Sequence, residues 1–390
     1  MTTAITSEAD FKAYVAEQKA QSWWREPLAF GIARIEQGAN GNTIKAWIPV
    51  INWQANYGSF AVFMAAAMAN GAEMSAGSEL VTPFTRGAIE QAASVFAPYM
   101  NDAANHANVN VIKELMNTDE DCYKLVVLFE DAQCESVETG YLKLLAMSEG
   151  FVQPRSINMD GIFGLLPNLA WAGHKPYELD YLRANKTKLQ MRGEYPKIDY
   201  VDKFPVYLHH VIPADNTRLL ESAKVRLGAH IAPGTTLMPG ASYINFNAGT
   251  LGPAMVEGRI SSSVTVGKGT DVGGGASILG VLSGGNTTPI TIGDNCLLGA
   301  NSVTGIPLGD GCIVDAGTTI LAGSKVYMDE KHREALAEVN DTAIESHDDN
   351  FYKGITFTNL NGLHFRTDST TGELKVMRST VEIKLNEDLH

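Results

Sequence analysis

Glu257 and Arg259 stand two residues apart at the end of NFNAGTLGPAMVEGR, which runs from Asn245 to Arg259. In an extended strand both would face one side. With Asn247 they would offer an acid, a cation and an amide on one surface. A carboxylate so placed can take a proton from an attacking amine, or can itself attack an activated acyl group. The same spacing also suits a solvated Glu–Arg pair of little energetic weight. A second cluster, Gly273-Gly274-Gly275-Ala276-Ser277, lets backbone approach a ligand closely and adds a hydroxyl at Ser277. Turn glycines of any repeat would give a similar string. Of the nine histidines only His230 lies in the Gly-rich region, which argues against a three-histidine zinc centre. His209 and His210 precede that region and read as packing residues. Cys122, Cys134, Cys296 and Cys312 show no C-x-x-C spacing, as expected of reduced thiols in a cytosolic protein.

The elements that must position these residues announce themselves by period. Val225, Ile231, Leu237 and Tyr243 are spaced by six, as are Ile260, Val266, Val272 and Ile278. Ile292 and Leu298 follow, then Leu308, Val314, Ile320 and Val326. A helix repeats apolar residues every three to four positions and a simple strand every two. A six-residue repeat with small residues between predicts a hexapeptide β-solenoid, its aliphatics turned inward and its coils sharing one core. The register slips by one residue between Tyr243 and Ile260, and Gly280 to Pro289 and Val303 to Pro307 depart from it. Loops leaving a solenoid are common places for sites.

The chain before the repeat reads as mixed α/β. Ser7 to Gln21 predicts an amphipathic helix, Val111 to Met116 a helix, KLVVLF from Lys124 a buried strand, and Val137 to Ser148 a helix ending at Gly150. After the repeat, Asp329 to Ser346 is charged and helical or looped, and Leu363 to Met377 predicts a hairpin around the polar turn DSTTGE. The expected fold is mainly β, a left-handed parallel β-helix over 216–328, preceded by an α/β domain over 1–215 and followed by a small C-terminal region over 329–390.

Composition excludes several classes. With 390 residues, 45% hydrophobic and 19% charged, the chain can bury a sizeable core. The net charge of −14 argues against nucleic acid as a partner, although a few converging Lys and Arg can still hold a phosphate. No run of roughly 18 apolar residues occurs, and the N-terminus MTTAITSEADFKAY lacks the pattern of a secretory signal. A cytoplasmic protein acting on small molecules, with no membrane partner, is the expectation.

VRLGAHIAPGTTLMPGASYINFNAGTLG, MVEGRISSSVTVGKGTDVGGGASILGVLSGGN and CLLGANS resemble the larger class of tetrahydrodipicolinate N-succinyltransferases. So do the segment SINMDGIFGLLPNLAW and the ending LNEDLH. The resemblance is clear from Ser156 onward and faint before it. It implies transfer of succinyl from succinyl-CoA to the amine of ring-opened tetrahydrodipicolinate, in diaminopimelate and lysine biosynthesis, by a homotrimer with sites between subunits. It implies a catalytic role for Glu257. It implies succinyl-CoA contacts at Arg259, Gly274, Ser277, Ala300, Asp315, Ala316, Gly323, Lys353, Arg366, Thr367, Asp368 and Ser369. Some members hold magnesium on the trimer axis through carboxylates, where this chain has Ala223 and Pro239-Gly240-Ala241. No metal site and no permanently bound cofactor are therefore expected, with succinyl-CoA as the acyl donor. Another acyl-CoA acyltransferase of the same fold, acting on this or a sugar amine, is the nearest rival. A non-catalytic solenoid is a more distant one.

Overall fold

In the computed structural model, residues 5–101, 106–281 and 288–385 are described. The chain divides into two compact units, one of residues 1–146 with 157–205, the other of 147–156 with 206–390.

The first unit is built on an antiparallel sheet in the order Thr43–Trp47, Ala29–Gln37, Tyr123–Leu128, Glu79–Pro83, with Asn52–Trp53 paired to the second of these. Tyr57–Ala69 is apolar nearly all round, and it buries Phe60, Phe63 and Met64 against Phe30, Phe84 and Phe96. The first helix is Glu8–Lys19, opened by a capping box of Ser7 and Asp10. Val137–Ser148 is helical as read from the sequence, the helix expected over Val111 to Met116 starts four residues earlier as Ala107–Met116, and the KLVVLF strand falls within Tyr123–Leu128 plus Phe129. A smaller sheet joins Lys175–Glu178, Leu169–Ala172 and Tyr200–Asp202. Two lysines are fully buried in this unit. Lys143 Nζ donates to Asp131 Oδ1 and to the carbonyls of Ala132 and Asn158. Lys45 Nζ donates to the His174 carbonyl and lies 3.6 Å from the Trp47 ring centroid.

The second unit is a three-faced parallel solenoid. On the first face Leu237, Val256, Val272, Leu298, Val314 and Phe365 stack in register. The second face stacks Val225, Ile244, Ile260, Ile278, Thr304 and Ile320. The third stacks Thr250, Val266, Ile292 and Leu308. All are buried, and their contiguity is what supports each short strand.

Three readings of the repeat need correction. The inward residue of the second coil is Ile244, not Tyr243, which lies half-buried on the outer side. The phase break is not one slip. Leu237 to Ile244 is a seven-residue step, and Val256 to Ile260 a step of only four. Likewise Val303–Gly305 is a regular strand, and the departure there is the four-residue step from Thr304 to Leu308. The long interruption at Gly280 to Pro289 separates Ile278 from Ile292, and its residues 282–287 lie outside the described residues. So does the ending after Leu385.

The predicted hairpin forms from Leu363–Thr367 and Leu374–Arg378, and its first strand pairs parallel to Ile313–Val314. It therefore extends the first face by one more layer. Glu330–Ala337 is a helix capped by Asp329.

Candidate active site

The corner between the first and second faces carries most of the residues singled out above. In successive coils it is made by Glu257-Gly258, Gly273 to Ala276, Gly299 to Ser302, and Asp315 to Thr318, with Arg366 and Thr367 following Phe365 in the added strand. The corner at Glu257 is the shortened one. Val256 ends one face, Arg259 begins the next, and only Glu257 and Gly258 turn between them. A Cβ on Gly258 would sit 2.3 Å from the Ala276 carbonyl oxygen of the next coil, so only glycine fits there.

This corrects the strand reading of the pair. Glu257 and Arg259 are not alternate residues of one strand but flank a corner on two faces. Asn247 is elsewhere. It turns the corner between Ile244 and Thr250 in the left-handed region, and its Oδ1 accepts the Arg155 N–H at 2.7 Å. The acid and cation thus share an edge without the amide. The Arg259 guanidinium reaches the next coil and donates to Ser277 Oγ at 2.6 and 3.2 Å, joining two of the expected residues. The Glu257 carboxylate lies over Gly274, with Oε2 3.5 Å from where a Cβ on Gly274 would be.

Backbone bonding along this edge follows a rule. Gly275 N–H donates to the Glu257 carbonyl, Asn301 N–H to Gly274, and Gly317 N–H to Ala300. Gly273, Gly299 and Asp315 donate to the adjacent layer, and Ala276, Ser302 and Thr318 close the turn. What is left is one amide per coil. Among the described residues, the N–H groups of Gly258, Gly274, Ala300 and Ala316 have no protein acceptor. Three of these four are residues expected to touch the donor.

The corner between the third and first faces shows why. There the equivalent positions are Lys268, Asp294 and Asp310. Lys268 N–H donates to Asp294 Oδ1 at 2.9 Å, Asp294 N–H to Asp310 Oδ1 at 2.7 Å, and Asp310 N–H to Asn361 Oδ1 at 2.8 Å. Asp and Asn side chains cap that column from layer to layer. Gly and Ala at the equivalent positions leave the other column uncapped, its amides free to donate to water or to a ligand.

At the far end Asp315 is held within the chain. His364 Nε2 lies 2.7 Å from Asp315 Oδ1, and Arg366 Nε 3.6 Å from Oδ2. His364 was missed in the sequence, and no local signal marks it. Only the pairing of Ile313 with His364 brings it there. Thr367 Oγ1 lies 3.4 Å from Thr318 Oγ1. Asp368 staples the hairpin turn. The Lys375 ammonium, then the Thr370 hydroxyl and amide, hold its carboxyl well below the usual carboxylate range. Ser369 is exposed in the same turn. Gly323 and Lys353 are not on this edge. They lie together after the second face, beyond Ile320, where Gly354 N–H donates to Ser324 and Ile355 N–H to Ala322. His230 is spent on structure, with Nδ1 2.8 Å from the Thr250 carbonyl.

Comparison with known proteins agrees with this architecture. Residues 289–322 match the family model described as hexapeptide repeat of succinyl-transferase, which makes the solenoid a hexapeptide-repeat protein. Residues 9–164 match the N-terminal model of tetrahydrodipicolinate N-succinyltransferase, and residues 166–205 its middle model. A 2,3,4,5-tetrahydropyridine-2,6-dicarboxylate N-succinyltransferase of a Nitratiruptor species is 54% identical over 99% of this chain and 100% of its own. One of Helicobacter pylori is 50% identical over 97% and 99%. A crystal structure of a 2,3,4,5-tetrahydropyridine-2-carboxylate N-succinyltransferase from Campylobacter jejuni superposes with a TM-score of 0.92 at 48% identity, covering 98% of this chain and all of that one. The chain belongs to the tetrahydrodipicolinate N-succinyltransferase family. Membership extends through the N-terminal region, where the sequence had shown only a faint resemblance.

Proposed function

We propose that this protein transfers the succinyl group of succinyl-CoA to the amine of ring-opened tetrahydrodipicolinate, 2-amino-6-oxopimelate, in diaminopimelate and lysine biosynthesis. The observation that carries the reading is the open column of amides running from Glu257 along one edge of the solenoid. An extended pantetheine arm has amide carbonyls that can accept from such donors, and a carboxylate stands at the end of the column where the thioester would arrive.

An α-amine with a pKa near 8 is mostly protonated at neutral pH and cannot attack. Glu257 takes that proton. The amine nitrogen then bonds to the thioester carbonyl carbon, the C–S bond breaks, and the second proton lost by that nitrogen passes to the departing sulfur, so that CoA leaves as its thiol. We favour this route over an acyl anhydride on Glu257, because a thioester is already activated. Of the turn amides between Gly273 and Ala276 only Gly274 has its N–H to spare, so Gly274 is the donor assigned to the developing oxyanion. One such donor is worth about 3 kcal/mol in comparable sites. Arg259 and Ser277 hold donor oxygens beside it.

The solenoid is left-handed in this reading, as its hexapeptide repeat implies, and the protein is a cytoplasmic homotrimer. The edge offers a single wall: Arg259, Ala300 and Ala316 are exposed in one chain. A neighbouring copy would supply the second wall, and three-fold closure of a heterologous contact leaves no open filament. Succinyl-CoA is a substrate, and no resident cofactor enters the scheme.

Release of CoA thiol from succinyl-CoA, dependent on added tetrahydrodipicolinate, tests the assignment directly. Absence of that dependence overturns it. Glu257→Gln should keep the assembly and lower turnover by at least about a hundredfold, the usual scale for a lost general base. Near-normal turnover by that variant removes Glu257 from the mechanism.

A further inference from the structure

Over the third face of the solenoid, Arg155 carries a charge that nothing in its own chain answers. It sits in the turn from Gln153 to Ser156, which the Ser156 N–H closes by donating to the Gln153 carbonyl. Pro154 precedes it, and its own φ is +68°. A proline followed by a positive φ is the pattern of a type II turn, whose third position favours glycine or asparagine. An arginine there is held against backbone preference, and strain of this kind collects at functional sites. Asn247 does the holding. Its Oδ1 accepts the Arg155 N–H at 2.7 Å, its own N–H donates to the Gly228 carbonyl, and its carbonyl accepts from Ser263.

The guanidinium is fixed as well. Nη2 donates to Thr265 Oγ1 and to Thr291 Oγ1, each at 2.9 Å. These threonines are partners on adjacent strands of the third face. Val266 and Ile292 beside them point inward, so both hydroxyls stand on the outer surface. Hydroxyls orient the charge without neutralising it. Among the described residues no carboxylate pairs with Arg155, and its Nη1 and Nε have no protein acceptor. Partial burial lowers its pKa from the usual arginine value, and no carboxylate acts in the other direction. Arg34 and Arg333 differ. Each has a carboxylate oxygen 2.9 Å from its Nε, which raises its pKa. An oriented, unpaired guanidinium fork on an exposed residue suits a carboxylate ligand.

We propose that Arg155 binds a carboxylate of the acceptor, and that it does so at the Glu257 edge of a neighbouring copy. The ring-opened acceptor carries two carboxylates, and Glu257, placed to take the amine's proton, repels both. Arg259 is the cation beside Glu257, and resemblance gives it to the donor. A second cation is needed. In a three-sided coil the corner between the first and second faces lies opposite the third face. Arg155 and Glu257 of one chain therefore stand on opposite sides of the prism, and only a second copy can bring them to one ligand. A heterologous contact closing about a three-fold axis does this. The proposal rests on the acyl-transfer reading and gives the site its second wall. Asn247 then serves the reaction as a positioning residue, through the backbone of Arg155.

The test uses the full-length protein. Arg155→Gln should raise KM for tetrahydrodipicolinate about tenfold or more, the scale of a lost charge-assisted hydrogen bond, and leave KM for succinyl-CoA at the wild-type value. Arg155→Lys, which keeps the charge without the fork, should fall between, and it carries the same comparison if the Gln variant does not fold. An unchanged acceptor KM, or an equal rise for acceptor and donor, overturns the assignment. Mixed assemblies decide whether it acts across copies. Subunits bearing Arg155→Gln and subunits bearing Glu257→Gln are co-expressed with different tags and purified together. If each site takes Glu257 from one copy and Arg155 from the next, every mixed trimer holds one intact site. At low acceptor concentration it should then run at about a third of the wild-type rate. If both residues served one site within a chain, no mixed trimer would hold an intact site, so a failure to recover overturns the shared site. Pimelate, the bare dicarboxylate, titrated calorimetrically, separates this proposal from the reading beneath it. If wild type does not consume tetrahydrodipicolinate, the transfer reading fails. Pimelate should still bind wild type more tightly than Arg155→Gln, and equal affinity, or none in wild type, overturns the carboxylate site.

Discussion

Ala300 illustrates how little side chain separates a sealed solenoid edge from a binding one. One corner away, Asp294 caps the Lys268 amide of the preceding coil, and Asn361 does the same for Asp310. Ala300 occupies the position over Gly274 that Asp294 occupies over Lys268, as the matching bonds from Asn301 to Gly274 and from Asn295 to Lys268 show. Ala300→Asp or Ala300→Asn should therefore cap the Gly274 N–H and close the column. Because the chain already builds this cap three times, both variants should unfold at the wild-type temperature. Both should lower kcat, because the capped N–H is the oxyanion donor, and weaken donor binding, with KM for succinyl-CoA raised by about tenfold or more, the scale of a lost hydrogen bond. The Asn variant separates capping from charge. If Ala300→Asn binds donor as wild type does while Ala300→Asp does not, repulsion and not capping explains the effect, and the amide column is not the donor's seat.

At the scale of the element, the shortened corner does the positioning. With two residues removed between Val256 and Ile260, the Glu257 side chain has no loop to swing on and lies against the turn of the next coil. Gly258→Ala and Gly274→Ala should part company accordingly. The first puts a Cβ 2.3 Å from the Ala276 carbonyl oxygen, so a backbone must shift, with a loss of about 2 kcal/mol by denaturant titration. The second meets only Glu257 Oε2, at an ordinary contact distance of 3.5 Å, so it should fold normally and lower turnover only by covering the carboxylate with a methyl group. Equal stability of the two variants would count against the tight corner. That corner was half legible from sequence. Inward aliphatics at Ile260, Val266, Val272 and Ile278 declared the solenoid, because burial on one side of each coil demands them. Between Leu237 and Ile260, however, a seven-residue step and a four-residue step nearly cancel, and the pair looked like one slip. Thr250 and Thr304 hid two further inward positions, since a polar residue in a core stack breaks an aliphatic count. The Asp315–His364 contact was beyond a linear reading altogether. It depends on the register with which a C-terminal strand returns to the solenoid.

On the scale of the whole molecule, the two units carry different reporters, and this permits a test of one without the other. All five tryptophans, at positions 23, 24, 47, 53 and 171, belong to the first unit. Trp47 and Trp171 stand 3.6 and 5.6 Å from the Nζ of Lys45, which is fully buried. Burial pushes the Lys45 ammonium down from 10.5 to about 8, against the pull of Glu36 at 3.7 Å. A lysine whose folded pKa is depressed weighs on the fold most below the folded value, where it must be carried charged. Between pH 8 and 10.5 the folded form sheds its proton before the unfolded chain does. The unfolded state then binds more protons, so this group's contribution to stability rises with pH across that window, by on the order of 3 kcal/mol in total. Lys45→Met removes the titrating group and should flatten that rise. Urea titrations followed by tryptophan fluorescence at several pH values from 7.5 upward report this unit alone. The difference in unfolding free energy between wild type and variant should move in wild type's favour as pH increases through the window. A constant difference would mean that Lys45 titrates no lower in the folded protein than in the unfolded chain, and that its aromatic and carbonyl neighbours hold it fully charged.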